Sequence, residues 1–309
     1  MNSIKVFSPG SITNLSCGYD ILGLCLENRG DEITVSKTSS KGIIISTVEG
    51  YNLTNDINEN VAGIAAQAML KEIKVNNGFK IEIKKGIKPG SGIGSSAASS
   101  AGTVFAINQL LDSHFSQVDL IRFSMEGEKF VSGSYHADNV APIILGGISL
   151  VRSVAEIDVV KLPSPKDLEV VIVRPNIEIK TSDSRKVVKK KVSIEKMVKQ
   201  SANLGSFISS LYTEDFNLMS KSVIDEVVEP DRAFLIPEFN EVKEISIKNG
   251  CIAVGISGSG PSIFSLSNNS VSSTKILDSV SNHYEKLGID YDGFISKINS
   301  QGIKILDTK

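Results

Sequence analysis

The stretch Lys88-Pro-Gly-Ser-Gly-Ile-Gly-Ser-Ser-Ala-Ala-Ser-Ser-Ala-Gly-Thr103 holds the densest set of groups that could act on a ligand. Gly90, Gly92 and Gly94 let the backbone approach closely, and serines follow where a helix should begin, with Ser95 or Ser96 suited to its N-cap. At such an entrance unpaired N–H groups and the positive end of a helix dipole converge, which is the chemistry of a phosphate site. The same composition also suits a tight turn before a closely packed helix. No lysine follows the last glycine, which disfavours the phosphate loop of the common nucleotide hydrolases. Gly92, Gly94 and Ala97 spell G-x-G-x-x-A with Asp112 further on, so a dinucleotide-dependent oxidoreductase stays open.

Other chemistry-bearing side chains each carry an ordinary reading as well. His136-Ala-Asp-Asn139 meets Val140-Ala-Pro-Ile-Ile-Leu, a strand-like apolar run, and that junction fits a pocket wall or an Asx-turn with a satisfied histidine. Asn14 and Asp20 lie in a glycine-containing loop, where turn chemistry accounts for both. Glu128 falls near the end of a predicted helix, where the dipole disfavours an acid unless it has a partner or is solvated. Asn60 stands at a helix start, as a helix-end hydrogen bonder does. Thr181, Asp183, Ser184 and Arg185 open a lysine-rich segment that reads as a solvated helix face.

The elements that must position these groups follow from periodicity. Ile4 to Phe7 predicts a first strand, broken at Ser8-Pro-Gly into a long loop. Glu32 to Ser36 and Gly42 to Val48 predict a strand pair joined by a polar turn, and Ile57 to Lys74 a helix. Phe79, Ile81 and Ile83 alternate with charged residues, predicting the strand that delivers the chain to the glycine loop. A helix over 117–130, strands near 157–160 and 168–174, helices near 194–211, 215–224 and 232–248, a glycine turn at Gly258-Ser-Gly260 between two strands, and a final helix and strand complete the expectation. Leu162-Pro-Ser-Pro165 is the best linker and places a domain boundary between residues 1–165 and 166–309.

At 309 residues, with 41% hydrophobic and 22% charged residues and a formal net charge of −2, the chain has ample length for a core and no bias toward nucleic acid or membrane surfaces. The longest apolar run, Ala141 to Val151, is interrupted by Pro142 and paired glycines, and Met1-Asn-Ser-Ile-Lys does not lead into a secretory segment. Cys17, Cys25 and Cys251 are scattered, which fits packing residues in a reducing cytoplasm. The three histidines form no ligand pair for a transition metal.

The glycine loop resembles the nucleotide loop of the small-molecule kinase family that includes galactokinase, homoserine kinase, mevalonate kinase and phosphomevalonate kinase. Ser8-Pro-Gly-Ser-Ile-Thr-Asn-Leu-Ser-Cys-Gly-Tyr-Asp-Ile-Leu-Gly-Leu24 resembles the opening of homoserine kinases, and His136-Ala-Asp-Asn-Val-Ala-Pro142 with Gly146-Gly147 their middle motif. Gly255-Ile-Ser-Gly-Ser-Gly-Pro261 is similar to the family's third motif, and the likeness runs in matching order from about Phe7 to Phe264.

That resemblance implies a two-domain α+β fold with the active site in the cleft between domains, and transfer of phosphate from ATP to the side-chain hydroxyl of L-homoserine, on the way to threonine. It puts ATP against Pro89, Gly90, Ser91, Gly92, Ile93, Gly94, Ser95, Ser96, Ala97, Ala98 and Ser99, with Thr181, and Asn60 near the adenine. Mg²⁺ is implied on Ser96 and Glu128, a donor set that suits an ion keeping waters and phosphates as its other ligands. Substrate contacts are implied for Asn14, Asp20, His136, Asp138, Asn139, Arg185, Arg232 and Gly258, with Asp20 on the ammonium and the two arginines on the carboxylate. In related kinases the counterpart of Asn139 is an aspartate proposed as general base; an amide takes no proton, so positioning and charge neutralisation are expected to suffice. The chain departs from the family pattern at Lys88-Pro89, Ile93 and Asp231, the last of which could pair with Arg232 and weaken its hold on a carboxylate. A homodimer is expected from the resemblance alone.

Overall fold

The computed structural model describes residues 1–309. The first half runs β1 (Ser3–Thr13), β2 (Leu22–Thr38), β3 (Ile43–Glu49), α1 (Val61–Leu70), β4 (Gly78–Lys84), α2 (Ser95–Leu110), α3 (Gln117–Ser132), α4 (Val140–Leu145), β5 (Ile148–Ser153) and β6 (Asp158–Leu162). The second runs β7 (Glu169–Pro175), α5 (Thr181–Lys186), α6 (Ile194–Thr213), α7 (Phe216–Ser222), α8 (Glu229–Arg232), α9 (Phe239–Lys248), β8 (Ala253–Ile256), β9 (Ile263–Ser267), α10 (Ser270–Leu287), β10 (Tyr291–Lys297) and β11 (Lys304–Thr308). No helix is long and apolar enough to cross a membrane.

Seven strands form one sheet, in the order β11-β1-β2-β4-β3 with β5 on β2 and β6 on β5, and four form a second, β10-β7-β9-β8. The fold is thus mixed α+β, the sheets changing between β6 and β7 at the proline-containing crossing, while β11 returns to pair with β1. Helices α1, α2 and α3 pack together on the first sheet, and α2 is buried along almost its whole length. Its small residues make that close approach possible: a Cβ on Gly102 would lie 2.5 Å from Ile33 and 2.6 Å from Ser8. The glycine and alanine content of this stretch therefore serves packing as well as the loop.

Several expectations are corrected. Strand β1 continues through Ser8-Pro-Gly to Thr13, absorbing the irregularity as a register shift between Pro9 and Ser11. The expected 32–36/42–48 hairpin does not form, because β4 lies between β2 and β3 and pairs with β3 in parallel. Strand β4 buries Phe79, Ile81 and Ile83 and takes the interior place, leaving β3 at the edge with Ile44 exposed. The apolar run Val140–Leu145 is a helix, buried over its first five residues, with Pro142 in the first turn where a missing N–H costs little. Gly94, not Ser95 or Ser96, is the N-cap of α2, at φ 71°. The helix expected over 57–74 is confined to Val61–Leu70, and the one expected over 232–248 is broken ahead of Phe239, next to Pro237. Strands β5 and β11 were not expected. Asp112 is exposed beyond the far end of the 16-residue α2, about 24 Å from the glycines, which removes the dinucleotide reading.

Candidate active site

A cavity of about 450 Å³ opens between the two sheets, with the glycine loop along one side. Gly90, Gly92 and Gly94 all have positive φ, at 69°, 79° and 71°. Gly92 and Gly94 are also constrained by space. A Cβ on Gly92 would come within 2.7 Å of the Ser257 and Gly260 carbonyl oxygens, and one on Gly94 within 2.3 Å of Ser11 Oγ. No side chain caps α2, so the N–H groups of its first turn are left for an incoming anion. From the segment between β8 and β9, Ser257 Oγ donates to Gly92 O at 2.7 Å and Ser262 Oγ to Ser91 O at 2.6 Å, clasping the loop.

Beneath the loop lies a buried ion pair that the sequence reading missed. Lys85 Nζ meets Asp31 at 2.5 Å and also donates to Ser95 O and Ser99 Oγ at 2.9 and 2.8 Å. Asp31 accepts in addition from Ser99 Oγ and from the N–H groups of Gly86 and Ile87. The signal was present: period two along Phe79, Ile81 and Ile83 carries Lys85 to the inner face, and Val35, Ile33 and Asp31 do the same on β2. The Ser99 hydroxyl thus belongs to the ion pair, and Ser95 Oγ donates to Ile87 O at 3.0 Å. Ser96 is left facing Glu128. Ile93, Ala97 and Ala98 are buried in the core and do not line the cavity, whereas Pro89, Gly90 and Ser91 do.

Glu128 is buried, and its Oε1 has no hydrogen-bond partner. Burial pushes its carboxyl up to about 7, against the opposing pull of the Ser96 hydroxyl and the Lys85 ammonium. A buried carboxylate with one oxygen unpartnered, facing a hydroxyl, fits a hard cation, which would supply the missing partner.

At the other end, a strained loop carries Asn14 and Asp20. Asn14, Leu15 and Ser16 are all left-handed, at φ 71°, 44° and 56°, and Asp20 is at 62°. A closed ring of hydrogen bonds holds them: Asn14 Nδ2 donates to Gly258 O at 2.9 Å, and Asp20 N donates to Asn14 Oδ1 at 3.0 Å. Arg185 grips Asp20 through two bonds of 3.0 and 2.8 Å, and Arg232 donates to Gly258 O at 3.0 Å. Tyr19, also missed from sequence, accepts from both arginines and completes the ring. Asp231 turns away to Lys189, accepting from its N–H at 3.0 Å and facing its ammonium at 3.2 Å, so it does not weaken Arg232. Arg232 also donates to Ser184 O and is buried.

Asn139 stands between the two ends. Its Oδ1 accepts from Ser11 Oγ at 2.8 Å, which leaves the amide N–H₂ as the group it offers. Asp138 is buried beside it, its carboxyl pushed up to about 7 by desolvation and by the charges of Asp20 and Glu128. His136 contacts Ser134 at 2.7 Å and Arg185 at 3.5 Å, and burial with that arginine lowers its pKa, so it is neutral. Thr181 lines the cavity at 3.5 Å from Ser259 Oγ. Asn60 also lines it, but its amide caps α1 through Ala62 N and donates to Thr54 O, which uses both ends of the group.

Both halves of the chain match known domains. Residues 60–147 match the description "GHMP kinases N terminal domain" and residues 207–286 "GHMP kinases C terminal". The chain is 36% identical to the homoserine kinase of Chloroherpeton thalassium over 319 residues, covering 99% of this chain and 100% of that one. It is 42% identical to the homoserine kinase of Methanococcus maripaludis over 270 residues, covering 86% and 88%. The crystal structure of homoserine kinase from Cytophaga hutchinsonii superposes with a TM-score of 0.95 at 40% identity, covering 99% and 98%. That of L. major mevalonate kinase in complex with R-mevalonate does so at 0.72 and 14%, covering 95% and 96%, and shares the fold alone. With a glycine loop at an uncapped helix start, an orphaned carboxylate beside it and both halves of the chain matched, the protein belongs to the GHMP kinase family.

Proposed function

We propose that the protein is an ATP-dependent homoserine kinase, making O-phospho-L-homoserine and ADP in threonine biosynthesis. The observation that carries this reading is the pairing, in one cavity, of a carboxylate and a guanidinium sized for an amino acid with a glycine loop and buried acid sized for a metal-bound triphosphate. Residues 1–165 form the nucleotide unit and residues 166–309 the second unit, with β11 counted back into the first sheet.

The amides of the Gly90–Gly94 loop and of the first turn of α2 cradle the phosphates. Ser96 and Glu128 would hold Mg²⁺, which would neutralise charge on the phosphates. Homoserine enters by charge exchange: its ammonium replaces Arg185 on Asp20, and its carboxylate replaces Asp20 on Arg185, with Arg232 as the second cation. Its hydroxyl oxygen then faces the terminal phosphorus. The new O–P bond forms as the bond to the β-phosphate oxygen breaks, ADP leaves with that electron pair, and the hydroxyl proton passes to phosphate or water. Asn139 donates to the reacting oxygens and takes no proton. A cytoplasmic homodimer belongs to the same reading.

A coupled ADP-release assay across homoserine, mevalonate, galactose and shikimate tests this, with phosphorus NMR of the product. Homoserine should dominate; equal or greater kcat/KM on another of these alcohols would overturn the assignment.

A further inference from the structure

Tyr19 does not line the cavity, yet its hydroxyl joins the two arginines that do. Its oxygen lies 3.1 Å from Arg185 Nη1 and 3.3 Å from Arg232 Nη2, and its ring lies 5.8 and 5.1 Å from the two guanidinium carbons. Two cations converging on one spot repel, and a neutral oxygen with two lone pairs can satisfy both while fixing their separation. The aromatic face adds attraction to each.

The two arginines depend on this hydroxyl unequally. Arg232 has independent anchors on Ser184 O and Gly258 O. Arg185 is anchored by Asp20, touches His136 only at 3.5 Å, and has an Nε with no partner. Once a substrate ammonium occupies Asp20, the Tyr19 hydroxyl becomes the main protein group holding the Arg185 fork in place.

Resting on the proposed homoserine site, we infer that Tyr19 is a positioning residue that fixes Arg185 relative to Arg232, and so sets the preference for an alcohol bearing an α-carboxylate. The inferred role is exerted through the arginines alone, so it concerns binding of the carboxylate and leaves phosphoryl transfer untouched.

The test is Tyr19→Phe, which keeps the ring and removes the shared acceptor. KM for L-homoserine should rise roughly tenfold, the loss of a hydrogen bond to a charged group, while kcat and KM for ATP stay within about twofold. Activity on 3-aminopropan-1-ol, which has no carboxylate, should not change, and calorimetric titration of homoserine without nucleotide should show the same weakening. A merely structural tyrosine would lower activity on both alcohols alike. That result, or an unchanged KM, overturns the inference while leaving the homoserine kinase reading intact. Absence of wild-type activity on homoserine in the same assay would overturn both.

Discussion

Asp20 and Arg185 neutralise one another through two hydrogen bonds of 3.0 and 2.8 Å, although each is the group suited to one end of a zwitterionic substrate. A ligand carrying a single charge can replace only one of them and strands the other, whereas an amino acid satisfies both.

Replacing Asp20 by asparagine should therefore change substrate choice as well as rate. We expect kcat/KM for homoserine to fall roughly 10- to 100-fold, the upper range for a charge pair being discounted because both side chains are 28% exposed. Relative activity on 4-hydroxybutanoate, which has the carboxylate and no amine, should rise because Arg185 is no longer neutralised. A uniform loss on both alcohols would mean that Asp20 only shapes the loop.

Glu128→Gln should separate activity from stability. Turnover should collapse at saturating magnesium, because an amide cannot replace the buried carboxylate opposite Ser96. In metal-free buffer at pH 8 its melting temperature should be equal to or a few degrees above that of wild type, since an unpartnered buried charge is removed. The sign follows from the shift. The folded pKa of about 7 lies above the unfolded value of 4.5, so the wild-type penalty is absent below the unfolded value, builds as pH rises toward about 7 and is fully present above it. Near-normal turnover, or a large drop in melting temperature, would count against the metal role.

The pH profile should distinguish the base-free reaction from its rival. The Asp138 carboxyl is pushed up to about 7, and its ionised form adds a negative charge beside Asp20, the group proposed to take the substrate ammonium. With magnesium saturating, KM for homoserine should fall as pH rises from about 6 to 8 while kcat stays flat, and Asp138→Asn should abolish the trend. Asn139→Ala should slow kcat by about one to two powers of ten without adding an inflection. An inflection in kcat that disappears in Asp138→Asn would instead make Asp138 the base.

Lys85→Met should destabilise the protein by roughly 3–5 kcal/mol, because the Asp31 carboxylate is left buried without its cation. Adding Asp31→Asn should recover part of this, and ATP should bind more weakly to both variants because the ion pair also holds Ser95 and Ser99 at the start of α2. Denaturant unfolding and nucleotide titration measure the two effects. No recovery in the double variant would place the cost elsewhere.

The residues and spacing around Gly90–Gly94 were enough to place a glycine loop between β4 and α2, and the chain passes from one sheet to the other across Leu162–Pro165. Local patterns failed where distant chain decides structure. Val140–Leu145 is buried over most of its length and so has no polar face to reveal its period. Nothing near residues 32–48 shows that β4 will come between β2 and β3. The neutralising pair Asp20–Arg185 and the bridging hydroxyl of Tyr19 depend on contacts across 165 or more residues, which spacing alone does not reveal.

The return of β11 to the first sheet has a consequence for biosynthesis. As the chain emerges from the ribosome, β1 must wait for residues 304–308 before its outer edge is paired, although its neighbour β2 is made at once. Throughout translation the segment Ile4–Phe7 therefore presents open backbone donors and acceptors, a template on which a second nascent chain could pair. A gene fragment cut between β6 and β7 would keep that edge open permanently, so expression of residues 1–165 alone should yield aggregates, and supplying the β11 strand as a fused segment should restore solubility.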